Sequence, residues 1–182
     1  MHELSFEELI QLNCYSGDRK KRQQAARALE ERYGCEIHVQ DMAKNVLFAH
    51  HARGCTLVAA RLSPGVVIYQ QVTLGSNMKY NKISKVWENV GSPILGENVI
   101  VAAGAKILGP VIIGKNTVVG AGAIITQNIP ADCVAYGVNQ YRPKEPNYDY
   151  VFNSDMITGE AIARVDEQRV RNFLKNQGKC SS

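Results

Sequence analysis

The chain has 182 residues, 45% of them hydrophobic, and a formal net charge of +4. That is enough apolar content for one well-buried domain with short terminal additions, and it excludes a disordered or fibrous chain. No basic stripe with interleaved aromatics occurs, which argues against a nucleic-acid partner, and no window approaches about 18 consecutive apolar residues, which argues against membrane insertion.

The opening MHELSFEELIQL is too short and too polar for a signal peptide, so a cytoplasmic protein is expected. Residues 5 to 34 read as helical. Ser5 followed by Glu8 is a capping-box pattern ahead of Leu9 and Ile10. After Ser16-Gly17-Asp18 a second helix places Ala25, Ala26, Leu29 and Tyr33 on one face and stops at Gly34. Its basic run, Arg19, Lys20, Lys21 and Arg22, reads as a solvated face. Five cysteines without a CxxC pair or a metal-like spacing to histidine give neither a disulfide framework nor a metal site, and fit a reducing compartment.

From Ile37 to about Tyr136 the texture changes to Val, Ile, Thr, Ala and Gly. Written in sixes from Leu95 the chain reads LGENVI, VAAGAK, ILGPVI, IGKNTV, VGAGAI, ITQNIP, ADCVAY. The first position is Leu95, Val101, Ile107, Ile113, Val119, Ile125 and Ala131; the fifth is Val99, Ala105, Val111, Thr117, Ala123, Ile129 and Ala135. A helix would repeat at about 3.6 and a strand at about 2. One aliphatic and one small or β-branched residue per six, with Gly or Asn between, describes short strands joined by permissive turns. Three sixes close a triangular coil, and stacked coils make an all-β solenoid, a parallel β-helix with an aliphatic stack inside.

The register recurs at LSPGVV, IYQQVT and from Leu74, and is blurred before Leu62. KYNKISKVWENVGS (79–92) breaks it, as a loop pushed out of the solenoid would. YRPKEPNYDY (141–150) reads as an extended connector, and Ser154 to Lys175 as a final amphipathic helix using Ile162, Val165, Arg169 and Phe173. The expected organisation is a helical segment 1–35, a β-helix 36–140 with the extruded loop 79–92, and a connector and helix 141–182.

The hexapeptide pattern resembles the left-handed β-helix acyltransferase family. The handedness and a homotrimer are implied by that resemblance, since the general rule for β-crossovers is right-handed. Within the family EIH (36–38), HARG (51–54), YQQVTLG (69–75), VAAGAKILG (101–109) and VVGAGAIITQNIP (118–130) are similar to serine acetyltransferase and its relatives in surface-polysaccharide loci. The resemblance implies acetyl-CoA as co-substrate, His51 as the general base on the acceptor hydroxyl, and Glu36, where the family usually has Asp, as the carboxylate that orients it. Histidine suits such proton transfer, and a carboxylate on its far nitrogen would hold the tautomer. His38 reads as a structural turn residue, and His2 lies in the terminus.

The small residues Ala103, Gly104, Ala105, Ala121 and Gly122 match turns that line the family's pantetheine groove, although tight turns want small residues in any case. GAGA (120–123) lacks the strand and helix of a dinucleotide fingerprint. Gly75 and Ser76 match the segment beside the thioester. Lys115, Arg142 and Lys144 are phosphate candidates by charge, with solvated surface as the competing reading.

Where the serine enzymes have Asp before the base this chain has His50, and where they have His before the re-entrant Pro it has Ser92. The family's closing Gly-Val-Pro-Ala appears as Gly137-Val138-Asn139-Gln140, and the long N-terminal helical domain is replaced by about 35 residues. These departures turn the expected acceptor from serine toward a sugar hydroxyl of a surface glycan, with Tyr80 and Trp87 of the loop as a sugar platform or a packing surface. Serine O-acetylation, a non-catalytic trimeric assembly module and a carbonic anhydrase of similar fold are the alternatives. The last would need three zinc-binding histidines, a spacing that His38, His50 and His51 do not offer.

Overall fold

A computed structural model of the chain describes residues 4–147 and 167–172. Helix α1 (Phe6–Tyr15) opens with the capping box read from the sequence: Ser5 Oγ accepts from the Glu8 amide at 3.2 Å, and the Ser5 amide donates to Glu8 at 2.7 Å. Helix α2 (Arg19–Tyr33) is capped by Asp18 and ends at Gly34, whose φ of 61° is the left-handed value that glycine adopts without cost. Phe6, Leu9, Ile10, Ala25 and Leu29 are buried and join the aliphatic core of the solenoid, so the helices plug its open first coil.

The strands follow as β1 (Glu36–Met42), β2 (Leu47–Phe48), β3 (Thr56–Leu62), β4 (Val67–Ile68), β5 (Thr73–Gly75), β6 (Asn77–Asn81), β7 (Val86–Gly91), β8 (Ile94–Leu95) and β9 (Ile100–Val101). They continue as β10 (Lys106–Leu108), β11 (Ile112–Ile113), β12 (Val118–Val119), β13 (Ile124–Ile125), β14 (Cys133–Tyr136) and β15 (Gln140–Pro143). Every pairing between coils is parallel. The stack is a left-handed parallel β-helix of about five coils with three faces. The first face stacks Leu62, Leu95 and Ile113; the second stacks Ile68, Val101 and Val119; the third stacks Leu57, Leu74, Ile107 and Ile125.

All six aliphatic first positions from Leu95 to Ile125 are fully buried. The seventh six departs from the expectation. Ala131 is exposed, and Ile129 takes the place beneath Ile113 two residues early. The corner 126–128 is short because Asn128 Oδ1 accepts from the Ile112 amide at 2.8 Å, closing the step that two further residues would have spanned.

Three edges join the faces. Between the first and second faces runs a polar ladder, with Asn98 donating to Asn116 at 3.2 Å and Asn116 donating to Asp132 at 2.9 Å. All three have φ near +55°, a conformation for which Asn and Asp are the usual choice after Gly. Between the third and first faces the chain leaves the coil as an antiparallel hairpin, β6 and β7. The extruded segment therefore spans 77–91, opening and closing slightly earlier than the loop 79–92 expected from sequence, and it is paired rather than irregular. Between the second and third faces lies the edge that carries the histidines.

Two further expectations are corrected. His38 sits inside β1, not in a turn, and is exposed. Residues Gln140–Pro143 form a strand antiparallel to β14 rather than a free connector. Of the expected helix 154–175, residues 167–172 are helical and the others lie outside the described residues, as does His2.

Candidate active site

In the first coil the step from Phe48 to Leu57 is three residues longer than six, and the surplus forms the turn Ala49–Ala52. His50, His51 and Ala52 have φ of 53°, 55° and 50° in succession. For non-glycine residues such a run is costly and persists where the surroundings hold it. Here Ala49 and Ala52 are buried while both imidazoles stay exposed, so the turn is anchored by its small residues and presents its polar ones.

The His51 ring is flanked by Phe6 at 5.2 Å and Tyr33 at 5.6 Å, and the His50 ring lies 6.2 Å from Tyr69. Phe6, Tyr33 and Tyr69 were missed as site neighbours from the sequence. Phe6 and Tyr33 carry only a helical-face signal there, and nothing local ties them to a turn farther along the chain. Glu36 opens β1 and pairs with Thr56, five residues past His51, its amide donating to the Cys55 carbonyl at 2.9 Å. Both Glu36 and His51 are exposed, and no hydrogen bond or ion pair joins their side chains.

Below the histidine turn the same edge continues coil by coil. The Gln71 amide donates to Arg53 at 2.8 Å, the Gly104 amide to Gln70 at 3.1 Å, and the Gly122 amide to Ala103 at 2.9 Å. The structure thus brings His50, His51, Ala103, Gly104, Ala121 and Gly122 onto one edge. The lower corners are smooth: a Cβ added at Gly122 would meet nothing within 4 Å, and one at Gly104 only the Gly122 nitrogen at 4.0 Å. That profile suits an extended, slender ligand. Ala105 does not belong to it, because its side chain is fully buried in the coil interior.

The remaining candidates fall elsewhere on the protomer. Gly75, Ser76 and Ser92 lie at the hairpin edge, where Ser76, Lys79, Gly109, Pro110 and Gln127 help to line a cleft of about 630 Å³. Tyr80 and Trp87 pair across the hairpin with ring centroids 5.5 Å apart, and Trp87 is 66% exposed. Lys115 sits on the ladder edge next to Asn116, and the Lys144 amide donates to Asp132 of that ladder at 2.9 Å. Arg142 is on β15, with Glu145 at 3.4 Å. Among the described residues no three His, Cys, Asp or Glu side chains gather as a metal-holding group.

Residues 92–127 match the family model described as bacterial transferase hexapeptide (six repeats). A serine acetyltransferase of Staphylococcus aureus (strain Mu50 / ATCC 700699) is 33% identical over 124 residues, covering 65% of this chain and 55% of the relative. One of Synechococcus elongatus is 35% identical over 106 residues, covering 58% of this chain and 41% of the relative. The crystal structure of Neisseria gonorrhoeae serine acetyltransferase superposes with a TM-score of 0.57 at 25% identity, covering 74% of this chain and 49% of that one. The chain spans about half the length of the relatives it matches.

Proposed function

We propose that this chain, a hexapeptide-repeat protein of the serine acetyltransferase type, transfers an acetyl group from acetyl-CoA to the hydroxyl of serine or a closely similar amino acid. The carrying observation is the single edge on which the histidine turn stands above the small-residue corners of Ala103-Gly104 and Ala121-Gly122. The glycan acceptor expected from His50 and Ser92 finds no support among the relatives, which are serine acetyltransferases. Those two positions are read instead as a change in how the acceptor is held.

In this reading the pantetheine arm lies against the smooth corners and the bound thioester supplies an activated acyl carbon. His51, exposed and held by Phe6 and Tyr33, takes the proton from the acceptor hydroxyl as its oxygen attacks that carbon. Glu36, one layer above, orients the imidazole once the acceptor has drawn the two together. Backbone amides of the solenoid turns are the donors available to the tetrahedral oxyanion. Three copies form the working unit, in which Gly75, Ser76 and the cationic Lys115, Arg142 and Lys144 of one protomer complement the histidine edge of another.

The test is thiol release from acetyl-CoA with serine, free sugars, nucleotide sugars and oligosaccharides as acceptors, beside His51→Ala, with light scattering for the assembly. Turnover on serine, lost by about 10²- to 10⁴-fold in the variant, is expected. Turnover confined to a sugar would sink the acceptor assignment, an undiminished variant would sink the mechanism, and a monomer with full activity would sink the trimeric site.

A further inference from the structure

Among the described residues, the histidine edge carries one buried side-chain oxygen without a hydrogen-bond partner. Gln70 occupies the corner between β4 and β5, one coil below His50-His51 and one above Ala103-Gly104. Its backbone is fixed on the lower side, where its carbonyl accepts from the Gly104 amide at 3.1 Å; the next residue, Gln71, has φ of 59° and donates to Arg53 at 2.8 Å. The preceding Tyr69 carries the ring that faces His50. Among the described residues, the Gln70 side-chain oxygen is the buried side-chain N or O atom for which no hydrogen-bond partner is found.

Buried carboxamide oxygens are almost always hydrogen-bonded, because water that once solvated them must be replaced. An apolar residue of the same shape would spare a lone protomer that loss. The side chain is only half-buried as a whole. With no hydrogen bond to a described residue, its oxygen can accept from a donor that reaches it without giving one up. An oxygen acceptor selects for a donor group and against carboxylate or phosphate oxygens, which only accept.

We infer that Gln70 is a substrate-contacting residue whose side-chain oxygen accepts a hydrogen bond from an N–H group of a molecule lying along the histidine edge. This rests on the acetyltransferase reading above. Two sources supply that chemistry: the amide N–H groups of a pantetheine arm on the small-residue corners, and the ammonium group of an amino-acid acceptor beside the histidine turn.

The experiment compares the full chain with Gln70→Leu, which removes the acceptor at similar volume, and Gln70→Glu, which keeps it. Calorimetric CoA binding without acceptor, KM and kcat for acetyl-CoA and for serine, and the melting temperature are measured. The expected Gln70→Leu protein melts at or above the unmutated one, keeps its kcat, and loses roughly tenfold in one affinity. Loss of CoA affinity identifies the pantetheine amide; a raised serine KM with unchanged CoA binding identifies the ammonium. If Gln70→Leu also melts lower, Gln70→Glu decides, since restored affinity upholds the contact and its failure overturns it. Both affinities unchanged in Gln70→Leu overturns this inference alone. No CoA binding by the unmutated chain removes the acetyltransferase reading and this contact with it.

Discussion

The imidazole of His51 and the phenyl ring of Phe6 lie 5.2 Å apart with their planes tilted by 58°, although the two residues are 45 positions apart in the chain. Phe6 also meets Tyr33 at 5.1 Å and Phe48 at 6.0 Å, both near edge-on. One aromatic of the first helix therefore ties that helix to the second helix, to the first coil and to the turn that presents the proposed base. The N-terminal helices are part of the site's support and not an appendage to the solenoid.

Phe6→Ala follows directly. The ring is 5% exposed, so its removal leaves a cavity beneath the turn and is expected to cost about 3–5 kcal/mol of stability. Urea denaturation measures that loss, and Phe6→Leu should recover most of it. Under conditions where the variant remains folded, turnover should fall more than CoA affinity, because the histidine turn loosens while the lower corners do not. Equal stability in Phe6→Ala would show that α1 is not anchored through this ring.

Asn116 is the middle rung of the ladder and carries two side-chain bonds at a φ of 56°. Asn116→Ala removes both bonds and puts an alanine in the left-handed region, for an expected loss of about 2–3 kcal/mol. Asn116→Gly keeps the backbone at ease and should lose less. Thermal melts of the pair separate the two contributions, and a glycine variant as unstable as the alanine variant would mean that backbone conformation contributes nothing.

Gly114 and Gly122 stand in neighbouring sixes of the repeat yet answer to different constraints. A Cβ at Gly114 would come within 2.6 Å of the Ala131 Cα, against the backbone of the shortened last coil. At Gly122 the space is open but φ is +66°. Gly114→Ala is therefore expected to cost about 3 kcal/mol or more and Gly122→Ala about 1–2 kcal/mol. Denaturant midpoints test the order. Gly122→Val should in addition weaken CoA binding, by filling the smooth corner with a side chain.

The contrast shows what could be read without coordinates. From Leu95 to Ile125 the interior is a close-packed stack, so every first position has to be aliphatic and the period survives in the sequence. It fails where a coil deviates in length. Asn128 closes a corner by a side-chain bond that composition does not announce, and the register then slips from Ala131 to Ile129. The three extra residues of the histidine turn blur the first coil for the same reason. The family resemblance supplied His51 and the small corners. It could not supply Phe6 or Tyr33, whose part lies in contacts between the helices and the histidine turn, nor could it show that the Gln70 side-chain oxygen is left unpartnered or that Ala105 faces inward.

The buried thiols of Cys35, Cys55 and Cys133 and the partly buried thiol of Cys14 give stability a pH dependence whose sign is fixed. Burial pushes Cys14 up to about 11, against a weaker opposing pull from the Asn13 amide, and pushes Cys35 up to about 11, with Cys55 and Cys14 adding to the shift. Burial also raises Cys55 and Cys133 above the ordinary 9.0. In the unfolded chain these thiols lose their protons near their ordinary value, while the folded chain keeps them longer. Above about pH 9 the unfolded state thus binds fewer protons, and stability must fall as pH rises. The contribution is fully present below about pH 9 and is lost as pH climbs toward about 11. Urea midpoints at pH 8, 9.5 and 10.5 should decline, and Cys35→Ala should flatten the slope relative to the unmutated chain. Native thiols at positions 14, 35, 55 and 133 should react slowly with a disulfide reagent at pH 8 and quickly once urea has unfolded the chain. A midpoint indifferent to pH over this range, or an identical slope in Cys35→Ala, would show that Cys35 is not held protonated by the fold.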